Sequence, residues 1–198
     1  MPGSTDGFQL LFVCYANLCR SPLAEGLARR TLTDTFGPAA DGAVVSSAGT
    51  HAFVGSPMHR GSAQVLGEYG VDGYGFTSRQ LTPPILTGAG LVLTAAREQR
   101  AACVTMAPAT NRRTFTIRQF IRYVQAAPAD PRLVQGTVAD RLRALVDAVN
   151  SIRHLVPTVP AVEDDLPDPM GQPVEAFRVC ADELQRSLRT VIGVIAPA

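Results

Sequence analysis

Two cysteines, an asparagine, an arginine and a serine crowd into one short stretch, FVCYANLCRSPLAEGL, Phe12 to Leu27. Leu10–Cys14 is an unbroken apolar run, as in a buried strand, and Ser21-Pro22 opens a helical pattern. A loop of this length between strand and helix can turn its backbone N–H groups inward. It then cradles an anion, helped by the partial positive charge of the helix start. Arg20 adds a planar fork that matches two phosphate oxygens. A thiol in such a field ionises more readily than a free one, and a thiolate facing a bound phosphoryl group is a nucleophile in place. Taken singly, Cys14 reads as core, because cysteine is among the side chains most often buried. The Cys-x5-Arg-Ser spacing on a strand-to-helix turn favours catalysis instead.

The elements that must position this loop follow from hydrophobic patterning. Apolar runs bounded by Gly or polar residues predict strands at Gln9–Cys14, Ala43–Ser47 and Leu91–Ala95. A fourth strand is predicted at Thr114–Phe120, where Phe115, Ile117 and Gln119 alternate with their neighbours. Helical patterns lie between. One follows Pro22, with Ser21 as its cap and Leu23, Leu27 and Leu32 on one side. Others cover Met58–Tyr69 before Gly70, Ala96–Met106 before Pro108, residues 136–155, and Val174–Ile192. Strands alternating with helices predict a single α/β domain. Its core would be a four-stranded parallel sheet flanked by helices, with the phosphate-binding loop between first strand and first helix. In such sheets ligands sit at the carboxyl ends of strands, where the Cys14 loop falls.

Bulk properties narrow the function classes. The chain has 46% hydrophobic and 18% charged residues, and all 18 basic residues other than histidine are arginine. A net charge of +1 gives no general pull towards nucleic acid or a membrane surface, so anion specificity has to be local. No basic-then-apolar leader precedes Leu10, and no apolar run approaches the ~20 residues of a spanning helix. The four cysteines are sparse, which fits a reduced, cytoplasmic setting better than a disulfide scaffold. His51, His59 and His154 show no metal-ligand spacing, so neither a metal nor a cofactor is expected. Residues 1–7 read as a flexible tail.

The stretch Val13–Glu25 resembles the loop of low-molecular-weight protein tyrosine phosphatases, whose pattern is V-C-x-[GA]-N-x-C-R-S-P-x-A-E. Further segments resemble that family in order. VSSAGTHAFVG (45–55) matches the second strand and the pocket wall, SRQLTPPIL (78–86) the A-R-Q-L stretch, and GLVLTAAREQR (90–100) the third strand and following helix. DLPDPMGQPVEAF (165–177) matches the acid loop and last helix, while 121–160 is the weakest part and longer than usual.

The resemblance implies roles. Cys14 would form a phosphocysteine and Arg20 would clamp the phosphoryl group. Tyr15, Ala16, Asn17, Leu18, Cys19 and Ser21 would line the loop, and Ser47 would bond Asn17. A phenolate leaves poorly, having a conjugate acid of pKa about 10, so an acid must protonate it. Asp168 matches that acid, with Asp165 as the alternative should the alignment slip; read alone, Asp168-Pro169 is only a turn in an acidic loop. Cys19 could capture oxidised Cys14 as a reversible disulfide.

Departures fall at Ala16, where many members have Gly, and at Met170, where an aromatic usually flanks the substrate ring; Phe53 would form the other wall. Phe76 replaces a usual His and Gly90 a usual Asp. Leu18 is apolar as in tyrosine-directed members, whereas arginine-phosphatase relatives carry Thr there. The expected substrate is a phosphotyrosine protein or a small aryl phosphate, with inorganic phosphate or another oxyanion able to occupy the loop. Two alternatives remain open: an arsenate reductase passing a disulfide through Cys103 or Cys180, and a phosphate-binding interaction module.

Overall fold

The computed structural model describes residues 7–197; the expected tail, apart from Gly7, lies outside the described residues. Its centre is a parallel sheet of β1 (Phe8–Cys14), β2 (Ala43–Gly49), β3 (Leu91–Thr94) and β4 (Thr114–Thr116), in the order β2-β1-β3-β4. The helices are α1 (Arg20–Phe36), α2 (Arg60–Glu68), α3 (Pro83–Gly88), α4 (Arg97–Met106), α5 (Ile117–Ala126), α6 (Val138–Ile152), α7 (Ala161–Asp164) and α8 (Val174–Ile195).

The central strands are apolar apart from Gln9 and Thr94 because both faces of the sheet are covered. Leu10, Phe12 and Phe115 face a large core with Leu23 and Leu27 of α1, Leu142 and Val149 of α6, and Phe177 and Leu184 of α8. Leu11, Val13 and Val92 face a smaller one with Leu86 of α3 and Cys103 of α4. At about 25 cal/mol per Å² of apolar surface removed from water, this double burial is the main favourable term. It fixes where the carboxyl ends of β1 and β2 stop.

β2 is an edge strand, and its outward carbonyls are taken by arginines. Arg29 donates from Nη2 to the carbonyl of Val45 (2.9 Å), and Arg79 from Nε to that of Ser47 (2.5 Å). Such occupation blunts an edge against pairing with another chain.

Two expectations need correction. The strand expected over Thr114–Phe120 stops at Thr116, whose side chain caps α5 by accepting from the Gln119 amide (3.1 Å). Phe115, Ile117 and Gln119 imitated alternation, but Ile117, Phe120 and Val124 fall on the buried face of a helix. Nor does Ser21 cap α1. That helix starts at Arg20 with Cys19 before it and no side-chain cap, because the Ser21 hydroxyl is turned to the Cys14 thiol. α3 and α7 were not foreseen; each is under two turns, too short for periodicity to show.

In the longer segment, α6 buries Val138, Leu142, Leu145, Val146 and Val149, the face its spacing predicts. A box between Thr137 and Asp140 closes its start. Among the described residues no helix is long and apolar enough to cross a membrane.

Candidate active site

The loop from Cys14 to Arg20 leaves β1 at the sheet's carboxyl end and turns into α1. Five of its carbonyls are taken by neighbours. Cys14 O accepts from Thr50 N (3.0 Å), Tyr15 O from His51 N (2.8 Å) and Ala16 O from the Ser78 hydroxyl (3.1 Å). Leu18 O accepts from His59 N (2.8 Å) and Cys19 O from Leu23 N (3.2 Å). In a trans peptide the next N–H points opposite to the carbonyl. The amides of Tyr15, Ala16, Asn17, Cys19 and Arg20 are therefore turned to the inside of the curve. Inward amides at a helix start form an anion cradle.

Asn17 holds the curve in shape. It takes φ = 55°, and is the one non-glycine at positive φ among the described residues. Asparagine tolerates that region through local hydrogen bonding. Its fully buried amide donates to the hydroxyls of Ser21 (2.9 Å) and Ser47 (2.9 Å), and its carbonyl accepts from Arg79 N (2.9 Å). Ser47 in turn donates to the Glu25 carboxylate (2.6 Å). Ala16, where many members have Gly, is not at positive φ; the positive φ falls one residue later.

Cys14 lies at the floor, 2% exposed, with its Sγ 3.0 Å from Ser21 Oγ. Arg20 is buried behind it. Its Nη2 meets Asp168 Oδ2 at 2.5 Å, its Nη1 donates to Leu166 O at 3.0 Å, and its Nε is buried without a partner. Cys14, Arg20 and Asp168, expected to act together, thus converge from opposite ends of the chain. Asp165 stays out of the pocket, accepting instead from the Arg97 amide at the start of α4 (2.7 Å).

The other thiols are in different surroundings. Burial pushes Cys19 up to about 12, with the charges of Asp168 and Cys14 adding to it. Burial likewise pushes Cys103 and Cys180 up to about 12. Those two lie within α4 and α8, buried as core.

At the rim, Phe53 (61% exposed) and Met170 (42% exposed) are open to solvent, one beside the loop and the other two residues beyond Asp168. Two features were missed. Tyr15 and His51 stack at 4.5 Å between ring centroids, an aromatic pair at the mouth that only the pairing of 49–51 against the loop brings together. Gly49 is required by close approach: a Cβ there would sit 2.6 Å from Tyr15 O and 2.9 Å from Asn17 N. The Ala-Gly after a strand was the available signal. Phe76 is only half-buried against the core, and Gly90 precedes β3 at the far end from Cys14, with Phe8 packed on it.

The family model described as "Low molecular weight phosphotyrosine protein phosphatase" matches residues 9–134. The tyrosine phosphatase Etp of Escherichia coli is 32% identical over 112 residues, 57% of this chain and 70% of that protein. A protein-arginine-phosphatase of Geobacillus stearothermophilus is 28% identical over 178 residues, 90% of this chain and 89% of that protein. Among solved structures, the YwlE arginine phosphatase of Geobacillus stearothermophilus superposes with a TM-score of 0.66 at 25% identity, covering 94% of this chain and 91% of that one. A low molecular weight tyrosine phosphatase of T. tengcongensis gives 0.68 at 26%, covering 94% and 99%.

Proposed function

The chain belongs to the low molecular weight phosphotyrosine protein phosphatase family, and from that premise we propose that it hydrolyses aryl phosphomonoesters, phosphotyrosine above all, through a phosphocysteine on Cys14. The observation that carries the reading is the convergence of Cys14–Ser21 (3.0 Å) and Arg20–Asp168 (2.5 Å) on one anion cradle.

The inward amides and the Arg20 guanidinium bind the phosphoryl oxygens and stabilise the charge that spreads over them during transfer. The Cys14 thiolate attacks phosphorus in line, so the S–P bond forms as the bond to the aryl oxygen breaks. Asp168 gives its proton to the departing oxygen. As carboxylate it then takes a proton from water, whose oxygen attacks phosphorus and releases inorganic phosphate and the Cys14 thiolate. Ser21 steadies the sulfur's charge when it leaves. Leu18, Phe53, Met170 and the Tyr15–His51 pair supply apolar walls for a ring. No metal or cofactor enters this reading. All four cysteines are free thiols, and a reduced cytoplasmic setting belongs to the same proposal.

One observation favours a second substrate: the arginine-phosphatase relative aligns over 90% of the chain, well beyond the 57% shared with Etp. Arsenate reduction is less favoured, because Cys103 and Cys180 are buried in helices with thiols held at about 12.

The test compares wild type, Cys14→Ser and Asp168→Asn on an aryl phosphate at about pH 5–7, a range that spans the pKa values carboxyl catalysts are tuned to. Phosphotyrosine and phosphoarginine peptides and thiol-coupled arsenate reduction are run beside it. Cysteine-dependent release, faster from phosphotyrosine than phosphoarginine, is expected. Release that survives Cys14→Ser would end the phosphocysteine mechanism. Faster phosphoarginine turnover would reassign the substrate, and phosphopeptide binding without turnover would leave an interaction module.

A further inference from the structure

The general acid assigned above hangs on a loop whose anchorage is unlike the rest of the surface. Asp164, four residues before Asp168, has no side-chain exposure at all. Its Oδ2 accepts from Arg97 of α4 at Nε (2.8 Å) and Nη2 (2.5 Å), and its Oδ1 from Nη1 of Arg122 in α5 (2.5 Å). The same guanidiniums and their neighbours seize the surrounding backbone. Arg97 Nη2 donates to Val159 O (2.6 Å), and Arg118 Nη1 to Asp165 O (2.8 Å) while its other nitrogens grip Glu183 of α8. Leu166 N donates to Ala95 O (2.8 Å), and Leu166 O receives Arg20 Nη1 (3.0 Å).

Up to Leu166, then, the loop is tied to α4, α5, α8 and the end of β3. Beyond it Asp168 projects between Pro167 and Pro169, whose rings restrict the backbone, and keeps a half-exposed carboxylate. Burying a carboxylate and pairing it with two guanidiniums is a poor route to stability, since desolvation offsets most of the attraction. It is a good way to allow one geometry only.

We propose that Asp164 is a positioning residue for the reaction: with Arg97 and Arg122 it fixes the acid loop so that Asp168 meets the leaving-group oxygen. The role rests on the assignment of Asp168 as general acid. It also gives part of the longer 121–160 segment a task, because Arg122 reaches Asp164 from there.

The test uses the full chain and two substrates, phenyl phosphate, which needs protonation on leaving, and 2,4-dinitrophenyl phosphate, which does not. Misplacement of a catalytic group by about 1 Å costs up to ~10²-fold. Asp164→Asn should therefore lower kcat/KM, which reports the steps up to phosphocysteine formation, about 10- to 100-fold on phenyl phosphate, with the loss on the dinitrophenyl ester below ~3-fold. Inhibition by inorganic phosphate should change by no more than about 5-fold, the most that loosening Asp168 from Arg20 allows. Added to Asp168→Asn, it should cost nothing further, since the acid it serves is gone. Should Asp164→Asn fail to give a native circular dichroism spectrum, Arg122→Gln, which removes one of the two guanidiniums, is read by the same pair of substrates. Equal losses on both esters, full additivity with Asp168→Asn, or no loss on phenyl phosphate would overturn the positioning role. An Asp168→Asn variant that loses nothing on phenyl phosphate would instead overturn the acid assignment, and the positioning role with it.

Discussion

Asp168 has two jobs in this geometry that pull in opposite directions, and replacing it with Asn separates them. Its carboxylate lies 2.5 Å from Arg20, with the arginine side chain 8% exposed and the aspartate 47% exposed. An incoming phosphate dianion needs the same guanidinium, so it has to displace the carboxylate from Nη2. A pair whose carboxylate is half in water is worth about 0.2–1 kcal/mol. Releasing Arg20 from it should tighten phosphate binding about 1.5- to 5-fold, taking tenfold per ~1.4 kcal/mol. Loss of the general acid should meanwhile lower kcat about 10²- to 10⁴-fold on a substrate with a poor leaving group. Asp168→Asn is thus expected to be a slower enzyme that binds its product better. The assay is the inhibition constant of inorganic phosphate against p-nitrophenyl phosphate at pH 7, supported by calorimetric titration of phosphate into each protein. Weaker phosphate binding by the variant would refute the competition for Arg20, whatever happens to kcat.

Other outcomes follow from the same loop. Asn17→Ala strands buried hydroxyls and keeps a side chain at φ = 55°; it should cost about 2–4 kcal/mol in urea unfolding. Asn17→Gly, free of the backbone strain, should cost about 1 kcal/mol less, and equal losses would remove the strain from the explanation. Gly49→Ala, whose Cβ would press on Tyr15 O and Asn17 N, should leave the protein folded by circular dichroism while lowering kcat/KM about 10- to 100-fold. Iodoacetamide at pH 8 should modify one thiol per chain, Cys14, with phosphate protecting it, because Cys19, Cys103 and Cys180 hold their protons to about 12. Those raised thiols favour the folded chain below pH ~9 and lose that contribution as pH rises towards 12, so chemical stability should decline across this window.

The parts legible in the sequence are those where one local rule dominates. β1 shows as an apolar run because both its faces are buried, and the Cys14–Ser21 loop shows because its residue types sit at fixed spacing. What stayed hidden depends on the third dimension. Thr116 ends a strand and starts a helix in one residue, so alternation and helical spacing overlap from 115 to 120. Ser21 looked like a cap because Ser before Pro usually is one, but a nearby buried thiol and amide claimed its hydroxyl. The Tyr15–His51 stack needs residues 36 positions apart, counted from their numbers, and appears only when the segment after β2 pairs with the loop. Asp164 lies in what the sequence shows only as an acidic loop before Asp168; nothing local says that two arginines from other helices close over it.

The most direct measurement is acid-quenched mass spectrometry of the enzyme during turnover of an aryl phosphate, with Asp168→Ala used to slow hydrolysis of the intermediate. A single phosphoryl group on the peptide that carries Cys14, absent in Cys14→Ser, is the predicted result. Turnover with no phosphorylated cysteine, or phosphate carried on any other residue, would contradict a phosphocysteine mechanism in this cradle.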